Sequence, residues 1–204
     1  LALKRTHDIP VIMLEEPENH LSHLNMRKMI DDIERNNQAQ IFISTHSDLI
    51  STRLDLRNCI LMNSATPMRT TAMNFISEDT AKFFMKAPDN NMLQFVLANK
   101  VILVEGDAEF IMMDAFCRRV LNHSLSEQGI DVISVDGKSF KRYLEIAKVL
   151  KMCVAVITDN DGNYDENITA AYQGYMDNEF DNIKIYSELD NERYTFEVAI
   201  YRDN

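Results

Sequence analysis

Two apolar segments that each lead into acidic residues constrain this chain more than any other feature. The first is Val101–Val104 and the second is Val154–Ile157, and a short acidic motif with a glycine follows each of them. Short, wholly apolar runs predict buried strands of a parallel sheet, whose carboxyl ends meet at one edge. We therefore expect one crevice to collect the four acids of these motifs: Glu105, Glu109, Asp159 and Asp161.

Apolar and helical patterns alternate along the chain, which predicts an α/β fold with mostly parallel sheets. The first part is predicted to contain strands at Ile9–Leu14, Gln40–Ser44 and Asn58–Met62 and helices at Asn25–Arg35, Asp48–Arg53 and Asp79–Met85. The second part is predicted to contain strands at Val101–Val104, Asp131–Val135, Cys153–Thr158 and Ile183–Tyr186 and helices at Asp107–Leu121, Ser139–Leu150 and Glu166–Met176. The pattern weakens from Asn63 to Asn91, so we place a domain boundary near Met92.

Composition sets the protein class. The 204 residues are 46% hydrophobic, which is enough for one large or two small cores. The three cysteines, Cys59, Cys117 and Cys153, are scattered and give no disulfide framework, so a reducing interior is expected. No apolar run approaches the roughly 20 residues of a membrane span. We therefore expect a soluble, cytoplasmic protein that does not act in a membrane.

The net charge of -11 argues against a broad basic surface that wraps nucleic acid. The acidic clusters offer another explanation, because two carboxylates about 4 Å apart repel by about 4 kcal/mol at an effective dielectric near 20. A divalent cation removes that repulsion, and an all-oxygen ligand set favours Mg²⁺ or Mn²⁺. Two such ions would suit hydrolysis of a phosphodiester, for which one activates water and the other stabilises the leaving oxygen.

A purely structural role remains open for some of these acids. Asp107 and Glu109 lie where acidic residues commonly stabilise the first turn of a helix. Glu105 and the pair Asp159 and Asp161 are harder to explain in that way, because each follows an apolar strand and precedes a glycine. The chain has five glycines, and Gly106, Gly137 and Gly162 all follow predicted strands of the second part.

The motif Leu103-Val-Glu-Gly-Asp-Ala-Glu109, together with Asp159-Asn-Asp161, resembles the Toprim domain that topoisomerases, bacterial primases and several nucleases share. The resemblance implies a compact sheet flanked by helices. It also implies that Glu105 acts as a general acid/base or metal ligand, and that Asp159 and Asp161 bind metal.

The first part of the chain resembles ABC-type ATPases. Val11–Ser22 is similar to their Walker B strand and D-loop, and Ile41–Asp48 is similar to their switch-histidine loop. The resemblance implies that Glu15 holds Mg²⁺ through water, that Glu16 orients the attacking water, and that His46 senses the γ-phosphate of ATP.

A partial ABC-type ATPase lobe followed by a Toprim domain resembles the overcoming-lysogenisation-defect (OLD) family, which includes the large subunit of Gabija-type antiphage systems. The resemblance implies residues 1–92 for the ATPase segment with its linker and residues 93–204 for the Toprim nuclease domain, which is expected to be incomplete at its C-terminus. Tyr194-Thr-Phe-Glu197 resembles a Thr-Leu-Glu element of the family, which makes Glu197 a further metal ligand unless it is an ordinary helix-start glutamate after Thr195. Lys138, in a loop that resembles one of the family, contacts substrate phosphate or is simply solvated.

The resemblance also implies a function and partners. We expect a DNA endonuclease that uses Mg²⁺ or Mn²⁺, with two ions, and that is coupled to ATP in the complete protein. Expected partners are DNA, further copies of the chain in a homo-oligomer such as a dimer of ATPase heads, and a helicase-like or other defence protein. The chain has no phosphate loop and no ABC signature motif, so we expect truncation at the N-terminus and no ATP hydrolysis by this chain alone.

Two other functions remain open. One is a non-catalytic sensor, in which nucleotide or DNA controls assembly and partner proteins carry out the reaction. The other is transesterification of the topoisomerase kind, but that reaction needs a tyrosine nucleophile, and none of the seven tyrosines has a distinctive context.

Overall fold

A computed structural model of the chain describes residues 11–35, 40–47, 55–63, 69–86, 91–176 and 181–203. The chain divides into two compact units, Leu1–Leu93 and Gln94–Asn204, and each is described by itself. The identity of the first unit as part of an ATPase stays a prediction.

Within its described residues, the first unit contains two small sheets. Strands β1 (Val11–Glu15) and β2 (Gln40–Ser44) pair in parallel, with Glu15 opposite Ser44. Helix α1 (His23–Arg35) connects them and buries Met26 and Ile30 in a small apolar cluster. Strands β3 (Ile60–Asn63) and β4 (Arg69–Ala72) pair antiparallel, and helix α2 (Glu78–Lys86) follows.

The second unit is built on a four-stranded parallel sheet flanked by helices. Its strands are β5 (Lys100–Val104), β6 (Ile130–Ser134), β7 (Cys153–Ile157) and β8 (Ile183–Tyr186). They lie in the order β6-β5-β7-β8. The helices are α3 (Met92–Leu97), where the boundary between the units falls, α4 (Asp107–Leu121), α5 (Phe140–Leu150), α6 (Ala171–Met176) and α7 (Phe196–Asp203). This arrangement confirms the predicted α/β class and the parallel sheet flanked by helices.

The core of the second unit follows from the apolar strands. Leu103 of β5, Ile133 of β6 and Val156 of β7 have no exposed surface. Helix α5 adds a fully buried face, on which Tyr143 meets the ring of Phe95 edge-on at 5.1 Å between centroids. Burial of these side chains stabilises the sheet by roughly 1.5 to 3 kcal/mol for each large apolar residue. The carboxyl edge of the sheet is therefore a rigid base for the acidic motifs.

The prediction missed some elements and described one helix incorrectly, and the cases below have a physical reason. Strand β4 was not predicted, because Arg69-Thr-Thr-Ala72 lacks apolar alternation and relies on β-branched threonines and pairing with β3. Helix α3 was not predicted either, because its short apolar run coincides with the proposed linker. The predicted helix Glu166–Met176 is a π-helical segment, Asp165–Ala170, followed by α6, with non-helical backbone at Tyr172.

The remaining predicted elements agree with the structure to within a few residues where they are described. The predicted helix Asp48–Arg53 lies outside the described residues, as does the start of the predicted strand at Ile9. Among the helices of the described ranges, none combines the length and the apolar character that crossing a membrane requires.

Candidate functional site at the carboxyl edge of the sheet

Glu105 and Asp159 lie beside each other at the carboxyl ends of β5 and β7. These strands are neighbours in the sheet, and Val104 pairs with Ile157, so the residues that follow them must converge. The Glu105 carboxylate accepts hydrogen bonds at Oε2 from the Thr158 hydroxyl, at 3.2 Å, and from the Asp159 backbone N–H, at 3.3 Å. The main chain of one acidic motif thus orients the carboxylate of the other.

Asp159 titrates abnormally in this environment. Burial, followed by the negative charge of Glu105, raises the pKa of Asp159 from 3.8 to about 6, and Glu109 and Glu197 add to the rise. A hydrogen bond of 2.8 Å from the Phe196 backbone N–H to Asp159 Oδ1 opposes the shift. Burial makes the largest contribution to this rise, and the remainder reflects repulsion between Asp159 and the neighbouring carboxylates. A cation would relieve that repulsion.

Glu109 and Glu197 occupy helix starts close enough to act on Asp159. Glu109 is buried, and its Oε2 accepts a hydrogen bond of 3.2 Å from the Gly106 N–H, which caps α4. Glu197 is exposed in the first turn of α7, where the Thr195 hydroxyl accepts a hydrogen bond from the Val198 N–H. Glu109 therefore has the helix-capping role that sequence reasoning left open, and Glu197 lies in a first helical turn, as that reasoning allowed. The role of both residues as metal ligands stays a prediction.

Asp161 forms an ion pair with Lys138, which lies in the loop after β6. That loop is fixed to the site by a hydrogen bond of 2.9 Å from the Gly137 N–H to the Glu105 carbonyl. Asp161 and Asp136 both have left-handed backbone, with φ of 50° and 49°. Gly137 and Gly162 follow them at φ of 110° and 78°, where a glycine is the least strained residue.

Asn160 is a structural residue of the site that the sequence reasoning did not assign. It has no exposed surface, and its amide donates to the carbonyls of Glu188, at 2.7 Å, and Asp190, at 3.0 Å. Its Oδ1 accepts from the Gly162 N–H at 2.8 Å. Asn160 therefore fixes the turn between the two aspartates to the loop after β8. The only indication of this role in the sequence was that a polar residue lies between two aspartates of the site.

A first prediction concerns Asp159 in the metal-free protein. Because its pKa in the folded state lies above the ordinary 3.8, the ionised form destabilises the fold above about pH 6, and the cost disappears below pH 3.8, where both states are protonated. Asp159→Asn is therefore expected to increase the free energy of unfolding at pH 8. With solvent screening of a partly exposed group taken into account, the gain is about 1 kcal/mol.

Urea denaturation in EDTA at pH 8 and at pH 4 measures this effect. The gain should be present at pH 8 and mostly absent at pH 4, and Asp181→Asn, at the opposite edge of the sheet, should show no such difference. An equal gain at both pH values would show that the charge of Asp159 is not its cause.

The first unit brings Glu16 and His46 together. Glu16 follows β1 with left-handed backbone (φ of 38°), and its N–H donates to the Ser44 carbonyl of β2 at 2.9 Å. Its Oε1 lies 3.7 Å from His46 Nε2; the His46 side chain is largely exposed and the Glu16 side chain is half-buried. Glu15, at the end of β1, is exposed beside this pair. The structure thus places the three residues around one strand end, and their roles toward ATP stay predictions.

Glu18 organises the loop that carries His46, a role that was not foreseen. Its Oε1 accepts hydrogen bonds of 2.7 Å from both the Thr45 hydroxyl and the His46 N–H. Burial opposes ionisation of this carboxylate, but hydrogen bonds from its own backbone and from these partners outweigh it and lower the pKa of Glu18. The sequence indicated this role only through the presence of a third acidic residue in the motif Glu15-Glu16-Pro-Glu18.

The side chains of the second unit have the chemistry of a metal site, although they do not form a complete coordination sphere. Within the described ranges, no three side chains of His, Cys, Asp or Glu converge closely enough to hold an ion. The five predicted ligands are therefore not all assembled in one place. Glu105 and Asp159 do meet, their ligand atoms are all oxygen, and repulsion from Glu105 adds to the effect of burial in raising the pKa of Asp159. This donor set fits Mg²⁺ or Mn²⁺.

Comparison with known proteins agrees with this geometry. Residues 96–161 match the family model described as "Overcoming lysogenization defect protein-like, TOPRIM domain". The Old nuclease of Escherichia phage P2 is 24% identical over 162 residues, which are 74% of this chain and 28% of that relative. The parallel sheet, the acidic strand ends and the family match together define a Toprim domain. The family match and this relative support an OLD-family, Toprim-containing protein, as the motifs indicated.

Proposed function

We propose that this chain is a metal-dependent DNA endonuclease that hydrolyses phosphodiester bonds at the carboxyl edge of β5 and β7. The observation that carries the proposal is the contact between Glu105 and Asp159, in which two acidic motifs far apart in sequence share one hydrogen bond. The family match and the name of the phage P2 relative support a nuclease-type reaction.

The residues of the site would have different roles in metal binding and catalysis. Mg²⁺ or Mn²⁺, when bound, would lower the pKa of a water molecule and offset the charge of the phosphate. Glu105 and Asp159 would hold the ion, with Glu109, Asp161 and Glu197 as further acids around it. Glu105 is also the candidate base for the attacking water, because Thr158 and the Asp159 N–H fix its carboxylate in place.

The second prediction tests this function directly. Supercoiled plasmid incubated with the chain in Mg²⁺ or Mn²⁺ is expected to be nicked, and EDTA should stop the reaction. Asp159→Ala should abolish nicking, because it removes a ligand at the centre of the acidic group. Asp181→Ala is the matched control and should cleave like the unaltered chain.

The outcome separates the two leading functions. If the plasmid stays intact under all conditions while calorimetry still detects bound metal, the nuclease hypothesis would be rejected. The protein would then be a non-catalytic sensor that DNA or nucleotide controls. Nicking that persists in Asp159→Ala would contradict the assignment of the site.

We also propose that the first unit belongs to an ATPase that controls access to this site in phage defence or DNA processing. The distance of 3.7 Å between Glu16 and His46, and the hydrogen bonds that Glu18 makes to the His46 loop, support this role. ATP hydrolysis needs phosphate-binding segments that this sequence does not contain. Addition of ATP to the plasmid assay, with a protein that carries those segments, tests the coupling.

A further inference from the structure

A basic groove lies beside the start of α5. Its volume is about 540 Å³, and its walls contain three cationic side chains and one carboxylate. The lining residues are Lys138, Ser139, Lys141, Arg142, Glu145 and Tyr175. In a chain of net charge -11, this local excess of positive charge is a distinct feature.

Two of these cations lie at the end of the helix where the dipole favours a negative charge. The first turn of α5 holds no acidic residue, and Lys141 and Arg142 lie in it, at the end where the helix dipole is positive. Positive side chains at that end destabilise a helix, because the helix dipole repels them. A bound anion would reverse the effect, because the side chains and the helix dipole would then attract the same ligand.

The groove reaches the acidic site. Lys138 forms one wall of the groove and pairs with Asp161, and the adjacent Gly137 N–H is hydrogen-bonded to the Glu105 carbonyl. Lys141 Nζ lies 5.7 Å from the ring centre of Tyr172, and the electron-rich face of this ring attracts the lysine cation. An extended polyanion in the groove would therefore pass Lys138, which contacts Asp161 of the acidic site.

We propose that this groove binds the sugar–phosphate backbone of DNA and guides the strand to the carboxylates. The inference rests on the proposed function, since it identifies where that substrate enters. Lys141 and Arg142 would contact phosphates outside the reacting bond, and Lys138 would mark the point at which the backbone meets the acidic site. Contacts of this kind depend on phosphate charge and carry little sequence information.

The test measures binding separately from cleavage. Fluorescence anisotropy of a labelled DNA duplex, with the chain in EDTA at 50 mM salt, gives the dissociation constant without any reaction. The double variant Lys141→Gln/Arg142→Gln is expected to bind about tenfold more weakly, and the slope of log K against log salt should fall by about 2, since each lost phosphate contact removes about 0.9. The single variant Lys141→Gln should show about half of this change in slope.

Two control variants make the result specific. Lys100→Gln removes an exposed lysine at the opposite edge of the sheet and should leave binding unchanged. Lys141→Arg keeps the charge and should bind as the unaltered chain does. Circular dichroism of each variant shows whether the fold is intact, and the exposed position of Lys141 makes its single variant a safe test if Arg142→Gln perturbs packing.

Each outcome decides the proposal. A salt slope unchanged in both glutamine variants would overturn the groove as the DNA path, even if plasmid nicking is observed. Equal competition by poly-glutamate at the same charge concentration, or tighter binding of an RNA duplex, would also overturn it. A further outcome is that the unaltered chain binds DNA without nicking plasmid, and that the glutamine variants then bind DNA more weakly. That result would support the groove as the DNA-binding surface and would reject only the proposed nuclease activity.

Discussion

Replacement of Glu105 by glutamine is expected to lower the rate of metal-dependent plasmid nicking by about 100- to 10,000-fold, the range typical of losing a general base. Glutamine keeps the shape of the side chain, and its carbonyl oxygen can still accept from the Thr158 hydroxyl and the Asp159 N–H. The negative charge that a metal ion and a proton acceptor require is lost. The change therefore removes the chemistry and retains the contacts that hold the two motifs together.

Single-turnover nicking and thermal unfolding together check this prediction. The unfolding temperature without metal should stay the same or rise, because one of the charges that repel Asp159 is gone. The unfolding temperature should no longer rise on addition of Mg²⁺. Glu166→Gln, an exposed acid outside the site, serves as the control and should cleave within twofold of the unaltered chain. Nicking at the normal rate by Glu105→Gln would remove Glu105 from the mechanism.

Asn160→Leu is expected to cause the largest loss of stability. The side chain is fully buried and makes three hydrogen bonds, to the carbonyls of Glu188 and Asp190 and from the Gly162 N–H. Leucine has the same number of side-chain heavy atoms and the same branch point but satisfies none of these groups, and each buried polar group left without a partner costs about 1 to 3 kcal/mol. The free energy of unfolding should fall by about 3 kcal/mol or more.

Urea denaturation measures the loss, and the same variant tests how the turn supports the site. The Mg²⁺-induced increase in stability should become smaller, since Asp159 and Asp161 are no longer held relative to the loop after β8. The exposed Asn163, three residues further on, makes a local helix-start contact and should cost about 1 kcal/mol or less when it is changed to alanine. A loss below 1 kcal/mol for Asn160→Leu would mean that the loop holds its shape without this residue.

The sheet of the second unit could be predicted because its signals are local. Val101–Val104 and Val154–Ile157 are apolar throughout, as strands buried on both faces must be, and each ends at a glycine-containing turn. Strand β4 could not be predicted in this way, because three of its four residues are polar and the strand depends on pairing with β3. Helix α3 is six residues long, too short for a helical period to be read.

The site was predictable in composition but not in its internal contacts. The meeting of Glu105 and Asp159 follows from parallel strands that end at one edge. The sequence could not indicate that Asp161 pairs with Lys138, because their proximity depends on how two loops bend. It also could not show that Glu109 caps its own helix while acting on Asp159, since both uses require an acid at that position.

The left-handed backbone of Asp136 and Asp161 has a consequence for how such a chain responds to selection. A residue with a side chain costs on the order of 1 kcal/mol in this conformation, whereas glycine adopts it readily. A library screened only for heat resistance would therefore favour glycine at both positions, and at Asp161 it would discard a charged group of the acidic edge. Related sequences that keep an aspartate at position 161, although glycine would be more stable there, would indicate selection for the function of the carboxylate.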